Sequence, residues 1–229
     1  MAIFWRADYL QLRELEFFRD GSSGTLLRCR FQRRSDDKRL SVICCHLGSG
    51  DTAEKEQERL LQIHRLRKLG PGLGPSGGLP ELLERSAADG AVLLCMDANS
   101  QPNRDESEND TVWRTLRGVP LVQSVWDADF DAEGRPRPEA ATTGGGCRGG
   151  GSVVTTNKMR GPLSKQAAKI GEHMLHVIDH VYFLNGLEFV GHGWGPLRFS
   201  SPQAAVAQLL PTLDIPSDHA PVCADFEWA

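Results

Sequence analysis

Two apolar runs, residues 40–47 (LSVICCHL) and 91–95 (AVLLC), bracket a stretch of helical periodicity. Runs this short that are apolar at nearly every position read as strands buried on both faces. Such strands cannot stand alone, because other elements must cover them above and below. The stretch between them supplies that cover. Asp51, with Glu54 three residues on, reads as a helix start with Asp51 as its N-cap. The helix is expected to reach about Leu69, with Leu60, Ile63 and Leu66 on its buried side. A second helix over 81–88 opens near Pro80. Strands alternating with helices in this way imply a layered α/β domain.

The rest of the chain is read by the same periods. Residues 2–5 (AIFW) read as a core strand, whereas 10–18 mix apolar and charged positions without a clear period. Residues 25–32 alternate Leu27, Cys29 and Phe31 against Arg28, Arg30 and Gln32, a half-buried strand of period two. A short helix is expected over 111–117 with Asp110 as cap, and a short strand over 121–126. Residues 152–160 (SVVTTNKMR) read as one strand running into a polar patch of Asn157, Lys158 and Arg160. Residues 175–184 (LHVIDHVYFL) read as another, interrupted by Asp179 and His180. A helix over 201–210 and a last strand over 220–228 complete the pattern. The glycine-rich 144–151 lacks the Lys-Ser/Thr ending of a phosphate-binding P-loop and is read as a flexible insertion. Gly/Pro-rich 70–78 reads as a connector and 103–110 as an acidic loop.

Composition narrows the function classes. The 229 residues, 40% of them hydrophobic, suffice for a single domain over 1–229 with its own core. A net charge of −4 gives no global field to recruit nucleic acid, so a polyanionic substrate requires a local basic patch or a metal. No run approaches the about 18 apolar residues of a membrane helix, and the first residues carry charge too early for a signal peptide. No membrane partner is expected. Six cysteines without CxxC spacing sit mostly in apolar runs, which implies core residues, a reducing intracellular compartment (the cytoplasm) and no structural zinc.

Two polar clusters remain unexplained by folding alone. Asp97 and Asn99 follow the buried 91–95 strand in a turn stopped by Pro102. Alone, such a pair is as well suited to forming a turn as to holding a water or a hard cation. The second cluster, Pro216-Ser217-Asp218-His219, precedes the last strand. Asp179 needs explaining too, since a carboxylate inside an apolar strand costs several kcal/mol unless it is paired. A His or a backbone donor would serve as the partner.

These motifs in this order (AIFWRADYL, the His46-Leu47 pair, MDANSQP, VIDHVYF and PSDHAPVCADFEW) resemble the endonuclease/exonuclease/phosphatase superfamily. The likeness is strongest to the branch with deadenylases, nocturnin-like enzymes and 2′-phosphodiesterases. The resemblance implies a four-layer α/β sandwich, two central mixed β-sheets flanked by helices, and Mg²⁺-dependent cleavage of phosphate esters, with Mn²⁺ as the other candidate ion. By the same resemblance Asp97 orients or deprotonates the attacking water and contacts the metal, and Asn99 holds that water or a phosphate oxygen. Asp179 pairs with His219 and sets its tautomer, while His219 stabilises the pentacovalent phosphate. Asp218 lies beside the metal, His46 binds the scissile phosphate, Lys158 and Arg160 grip further phosphates, and Asn157 faces the substrate.

Two departures stand out. Relatives commonly carry Gly before the Asp of the DAN turn and Phe after it, where this chain has Met96 and Ala98. The family's N-terminal strands, with an early Asn and the Glu that is its main metal ligand, have no counterpart ahead of AIFWRADYL. Glu14 and Glu16 follow that segment and are not assigned the role. Turnover by residues 1–229 alone is therefore expected to be weak. The resemblance leaves three functions open: a nuclease or phosphodiesterase acting on RNA 3′ ends or oligonucleotides, a phosphomonoesterase acting on a small nucleotide or inositol phosphate, and a non-catalytic scaffold. It says nothing of oligomeric state.

Overall fold

Six strands, β1 (Leu10–Arg19), β2 (Thr25–Arg33), β3 (Arg39–His46), β4 (Ala91–Asp97), β5 (Gln123–Ser124) and β9 (Asp179–Leu184), form one mixed sheet in the order β1-β2-β3-β4-β9-β5. The computed structural model describes residues 1–19, 25–65, 78–102, 110–137, 152–162, 167–193 and 197–229. The connector 70–77, most of the acidic loop 103–110, the glycine run 144–151, Leu66 and Leu69 lie outside the described residues. No helix among the described residues is long and apolar enough to cross a membrane.

The two apolar runs, 40–47 and 91–95, lie on adjacent central strands. β3 and β4 pair in parallel, from Leu40 opposite Ala91 to His46 opposite Asp97. The crossover between them contains α1 (Ala53–Arg65) and α2 (Leu79–Asp89). Ile43, Cys45, Val92, Leu94 and Met96 project from one face of the sheet into a core with Leu60 and Ile63 of α1, Leu82 and Leu83 of α2, and Trp113 of α3 (Val112–Arg117). On the opposite face, Leu93 packs near Leu40, Ala91 and Leu187. There β10 (Leu187–Gly191) and β12 (Asp225–Trp228) pair and set Phe189 and Phe226 against Phe183, at centroid distances of 6.2 and 5.1 Å. Two further antiparallel pairs are β6 (Ser152–Val154) with β11 (Leu197–Phe199) and β7 (Thr156–Met159) with β8 (His173–His176). The chain is thus a mixed α/β layered structure, as expected. Cys29, Cys44, Cys45, Cys95 and Cys223 are free thiols, and burial pushes those of Cys45 and Cys95 up to about 12.

Several boundaries differ from expectation for physical reasons. Residues 2–5 form no strand; Phe4 is 93% exposed and Trp5 instead lays its ring on Phe31, 5.3 Å between centroids. The strand lies later, as β1, where a bulge between Leu12 and Glu14 shifts the apolar alternation from 10 and 12 to 15 and 17. That slip hides the period. Glu14 and Glu16 project from β1 to ion-pair with Arg30 and Arg28. Asp51 is not the cap of α1: Thr52 Oγ1 accepts from Lys55 N, 3.3 Å away. Nor does Asp110 cap α3, since Thr111 Oγ1 takes the Arg114 N–H at 3.2 Å. The helix expected over 201–210 is α4 (Pro202–Val206), capped by Ser201. The two strands expected over 152–160 and 175–184 are each broken, at Thr155 and at Val177–Ile178.

Candidate active site

Those two breaks face one another, and Thr155 joins them. Its buried hydroxyl accepts from the backbone N–H groups of Ile178 (2.9 Å) and Asp179 (3.1 Å), and its carbonyl accepts from Ala220 N (2.7 Å). Thr156, beside it, bridges His219 in antiparallel fashion and donates its hydroxyl to the Asp218 carbonyl, 2.9 Å. The segments bearing Asp179 and His219 are therefore locked together by backbone bonds. Their side chains meet as a result: His219 Nδ1 lies 2.9 Å from Asp179 Oδ2. A carboxylate can only accept, so Nδ1 carries the proton and Nε2 is left free for other work.

The other half of the site comes from the sheet register. His46, Asp97 and Asp179 occupy one rung across β3, β4 and β9, each opposite the next. His46 Nε2 stands 3.5 Å from Asp97 Oδ2. Beyond Asp97 the chain reverses through Asn99, whose φ of +50° is a left-handed conformation that Asn tolerates better than most residues. Asp97 Oδ1 accepts from Asn99 N at 3.0 Å, and Asn99 Nδ2 donates to the Leu47 carbonyl at 3.0 Å. The DAN turn is thereby fastened to the end of the neighbouring strand. Ala98 is fully buried and donates its N–H to the Ile178 carbonyl.

Charge is crowded here. Burial pushes the Asp97 carboxyl above the usual carboxylate range, and the neighbouring Asp179 adds to the effect. The bond to Asp179 raises the His219 imidazole against the opposing effect of its partial burial. Ligand atoms of Asp97, Asp179 and His219 all lie within 4.8 Å of one another. Two carboxylates in like-charge repulsion, with hard oxygen donors, are a donor set that a divalent cation of the Mg²⁺ or Mn²⁺ kind fits and relieves. Asp218 does not join this group. Its carboxylate is ion-paired with Lys158, which pulls it below the usual range.

The remaining expected residues are distributed less simply. Arg160 pairs with Asp51 at 2.8 Å and Lys169 with the same carboxylate at 3.0 Å, so Asp51 tethers the basic strip rather than capping a helix. Lys158, Arg160 and Lys169 each have an acidic partner, and an anionic substrate must displace Asp218 or Asp51 to reach them. Asn157 is fully buried. Its Nδ2 donates to the Ala205 and Gln208 carbonyls, both at 2.9 Å, and its Oδ1 sits 2.7 Å from His173 Nε2. Those contacts dock α4 onto β7 and leave no surface for a substrate. Thr155, Thr156 and Asp51 organise the site without having signalled it, although the two consecutive threonines inside an apolar strand mark where the ladder is interrupted.

No protein-family model and no curated protein sequence matches the chain. Solved structures do. The human Nocturnin catalytic domain with bound sulfate aligns over 97% of this chain and 61% of its own, at TM-score 0.53 and 12% identity. D. rerio TDP2 complexed with a single-strand DNA product aligns over 97% and 70%, at TM-score 0.54 and 15% identity. The endonuclease/exonuclease/phosphatase from Bacteroides vulgatus aligns over 98% and 69%, at TM-score 0.50 and 13% identity. The chain has the endonuclease/exonuclease/phosphatase fold. It spans about three fifths of the length of the Nocturnin domain and about 70% of the other two. In this four-layer α/β sandwich the rung of His46, Asp97 and Asp179 lies at one end of the six-stranded sheet, with His219 leaning in from the loop before the last strand.

A direct check on the pair is a titration of His219 by NMR. Its midpoint is expected above the ordinary 6.5, and Asp179→Asn should bring it back down. Because the folded value is raised, the pair's contribution to stability is complete below about pH 6.5 and fades as pH rises through the folded value. Asp179→Asn should remove that pH-dependent component. A midpoint unchanged in the variant would mean the pair does not form in solution.

Proposed function

We propose that the protein hydrolyses phosphate esters with a divalent cation bound at Asp97 and Asp179, and that its substrates are phosphodiesters of RNA 3′ ends or oligonucleotides. The observation that carries this reading is the convergence of the Asp179–His219 pair with Asp97 and His46 on one rung of the sheet. Attack on a phosphodiester builds negative charge on the phosphoryl oxygens and demands an in-line water. His219, held by Asp179 with Nδ1 protonated and its affinity for protons raised, presents Nε2–H to a non-bridging oxygen as that charge grows. Asp97, aimed by the DAN turn, is placed to orient the attacking water or take its proton. Asn99 fixes the turn that aims Asp97, and half-exposed His46 flanks the phosphate from the neighbouring strand. When bound, Mg²⁺ or Mn²⁺ supplies Lewis-acid neutralisation of the phosphoryl group.

The TDP2 match, a structure with a single-strand DNA product, supports the diester reading, while the match to a mannosyl-6-phosphatase keeps the monoester reading as the alternative. The test is a panel of oligoribonucleotides, mononucleotides and inositol phosphates incubated with Mg²⁺ or Mn²⁺ and with EDTA. Metal-dependent release of nucleoside monophosphate is the expected result. Release of inorganic phosphate alone would move the protein to the monoesterase class, and no product with either ion would overturn the reading.

A further inference from the structure

We infer that a buried ion pair on α1, Glu56 with Arg59, is the positioning device that sets the two loops of the site relative to each other. Arg59 is fully buried and Glu56 nearly so. Arg59 Nε and Nη2 donate to Glu56 Oε2 at 3.0 and 2.6 Å. Arg59 Nη1 turns the other way, to the carbonyls of Gly48 (3.1 Å) and Gly50 (2.8 Å). That stretch is the loop that leaves His46 and carries Asp51 to Arg160 and Lys169. Glu56 Oε1 accepts from Ser100 Oγ at 2.6 Å, directly after the DAN turn, and from Val112 N at 2.8 Å, the first residue of α3. The Ser100 carbonyl in turn accepts from buried His180 Nε2 at 3.0 Å, on the strand that bears Asp179. Gln62, further along α1, accepts the Gly48 N–H at 2.9 Å.

One helix face thus reaches the segments behind His46, Asp97, Asn99 and Asp179. Stability alone does not explain such a pair, because hydrophobic replacements of a buried ion pair are often no less stable. What an apolar isostere cannot do is hold two carbonyls on one side and a hydroxyl and an amide on the other. In none of these contacts does the pair touch the rung itself, so its effect on chemistry is through geometry, where displacements near 1 Å cost about 10²-fold.

The positioning role rests on the phosphoesterase reading only for its consequence in binding, and the test separates the two. Two variants release different loops: Glu56→Gln with Arg59→Met frees the 48–50 carbonyls, while Ser100→Ala frees the DAN side. Hydrogen exchange is measured residue by residue, with binding of inorganic phosphate alongside. In the double variant the Gly48 amide should exchange at least tenfold faster. In Ser100→Ala the Asn99 amide should do so, with Gly48 little changed. The amides of 92–94 and 181–183 should stay within twofold in both, and phosphate affinity should fall about tenfold. Uniform acceleration across the sheet, or none in either loop, would overturn the positioning role whether or not the protein hydrolyses anything. If the unmodified protein binds no phosphate while the loop-specific pattern appears, the phosphoesterase reading falls and the positioning role stands.

Discussion

His219→Ala should lower metal-dependent hydrolysis by roughly 10³-fold, within the range for a positioned general acid or charge-stabilising group. The expectation follows from how His219 is held. Its backbone is fastened through the Thr156 bridge and Ala220 N, and its ring through Asp179. Removing the imidazole deletes the donor for the phosphoryl oxygen without disturbing those backbone bonds. The loss should therefore fall on kcat rather than KM, and below about pH 6.5 the thermal midpoint should fall as well, because Asp179 loses the partner that offsets its partial burial. Steady-state kinetics on the best substrate of the panel decide it. A variant with near-normal kcat would show that His219 does no chemistry and would leave the non-catalytic scaffold as the better account.

Asp97→Asn carries the second large effect, and with an unusual sign in stability. The amide keeps an oxygen to accept from Asn99 N, so the turn should survive. It loses the charge that a divalent ion requires, and activity should drop about 10³-fold, roughly 4 kcal/mol of transition-state stabilisation. Without metal, however, the wild-type carboxylate is at odds with its surroundings, because burial and Asp179 both disfavour its ionised form. A group whose folded proton affinity is raised destabilises the fold as pH climbs above its unfolded value. The neutral carboxamide of the variant escapes that penalty. In EDTA the variant should melt at or above the wild-type temperature at neutral pH, and Mg²⁺ should stabilise wild type but not the variant. A wild-type midpoint indifferent to Mg²⁺ and Mn²⁺ would argue against a cation at this rung.

Much of this was legible in the chain because strand burial leaves a plain signature. β3 and β4 have apolar residues at nearly every position since helices cover one face and strand pairs the other. β2 alternates because its helix-side face at Arg28 and Arg30 is occupied by ion pairs to β1. β1 was hidden by its bulge, and it lies at the sheet's edge with Leu15 59% and Phe17 62% exposed, where no core enforces a period. The site was legible where polarity interrupts apolarity, at Asp97, Asp179 and the Asp218–His219 turn. It was not legible where polar groups serve backbone geometry. Thr155 holds two N–H groups, Asp51 tethers two cations, and Asn157 docks a helix; none of these roles has a spacing of its own. Asp218 and Asp179 illustrate the limit. Both are acidic and both stand next to a His, and only the fold reveals that Lys158 claims the first.

The rung has a consequence for how such a centre can change over evolutionary time. Strands in any sheet lie about 4.8 Å apart, so the intervals between the side-chain bases of His46, Asp97 and Asp179 are dictated by main-chain geometry and owe nothing to rotamer choice. The sheet is a ruler with fixed graduations. A substitution at any of the three marks alters which groups are presented while the gauge itself stays constant, so new reactivity can be sampled there one residue at a time without rebuilding the scaffold.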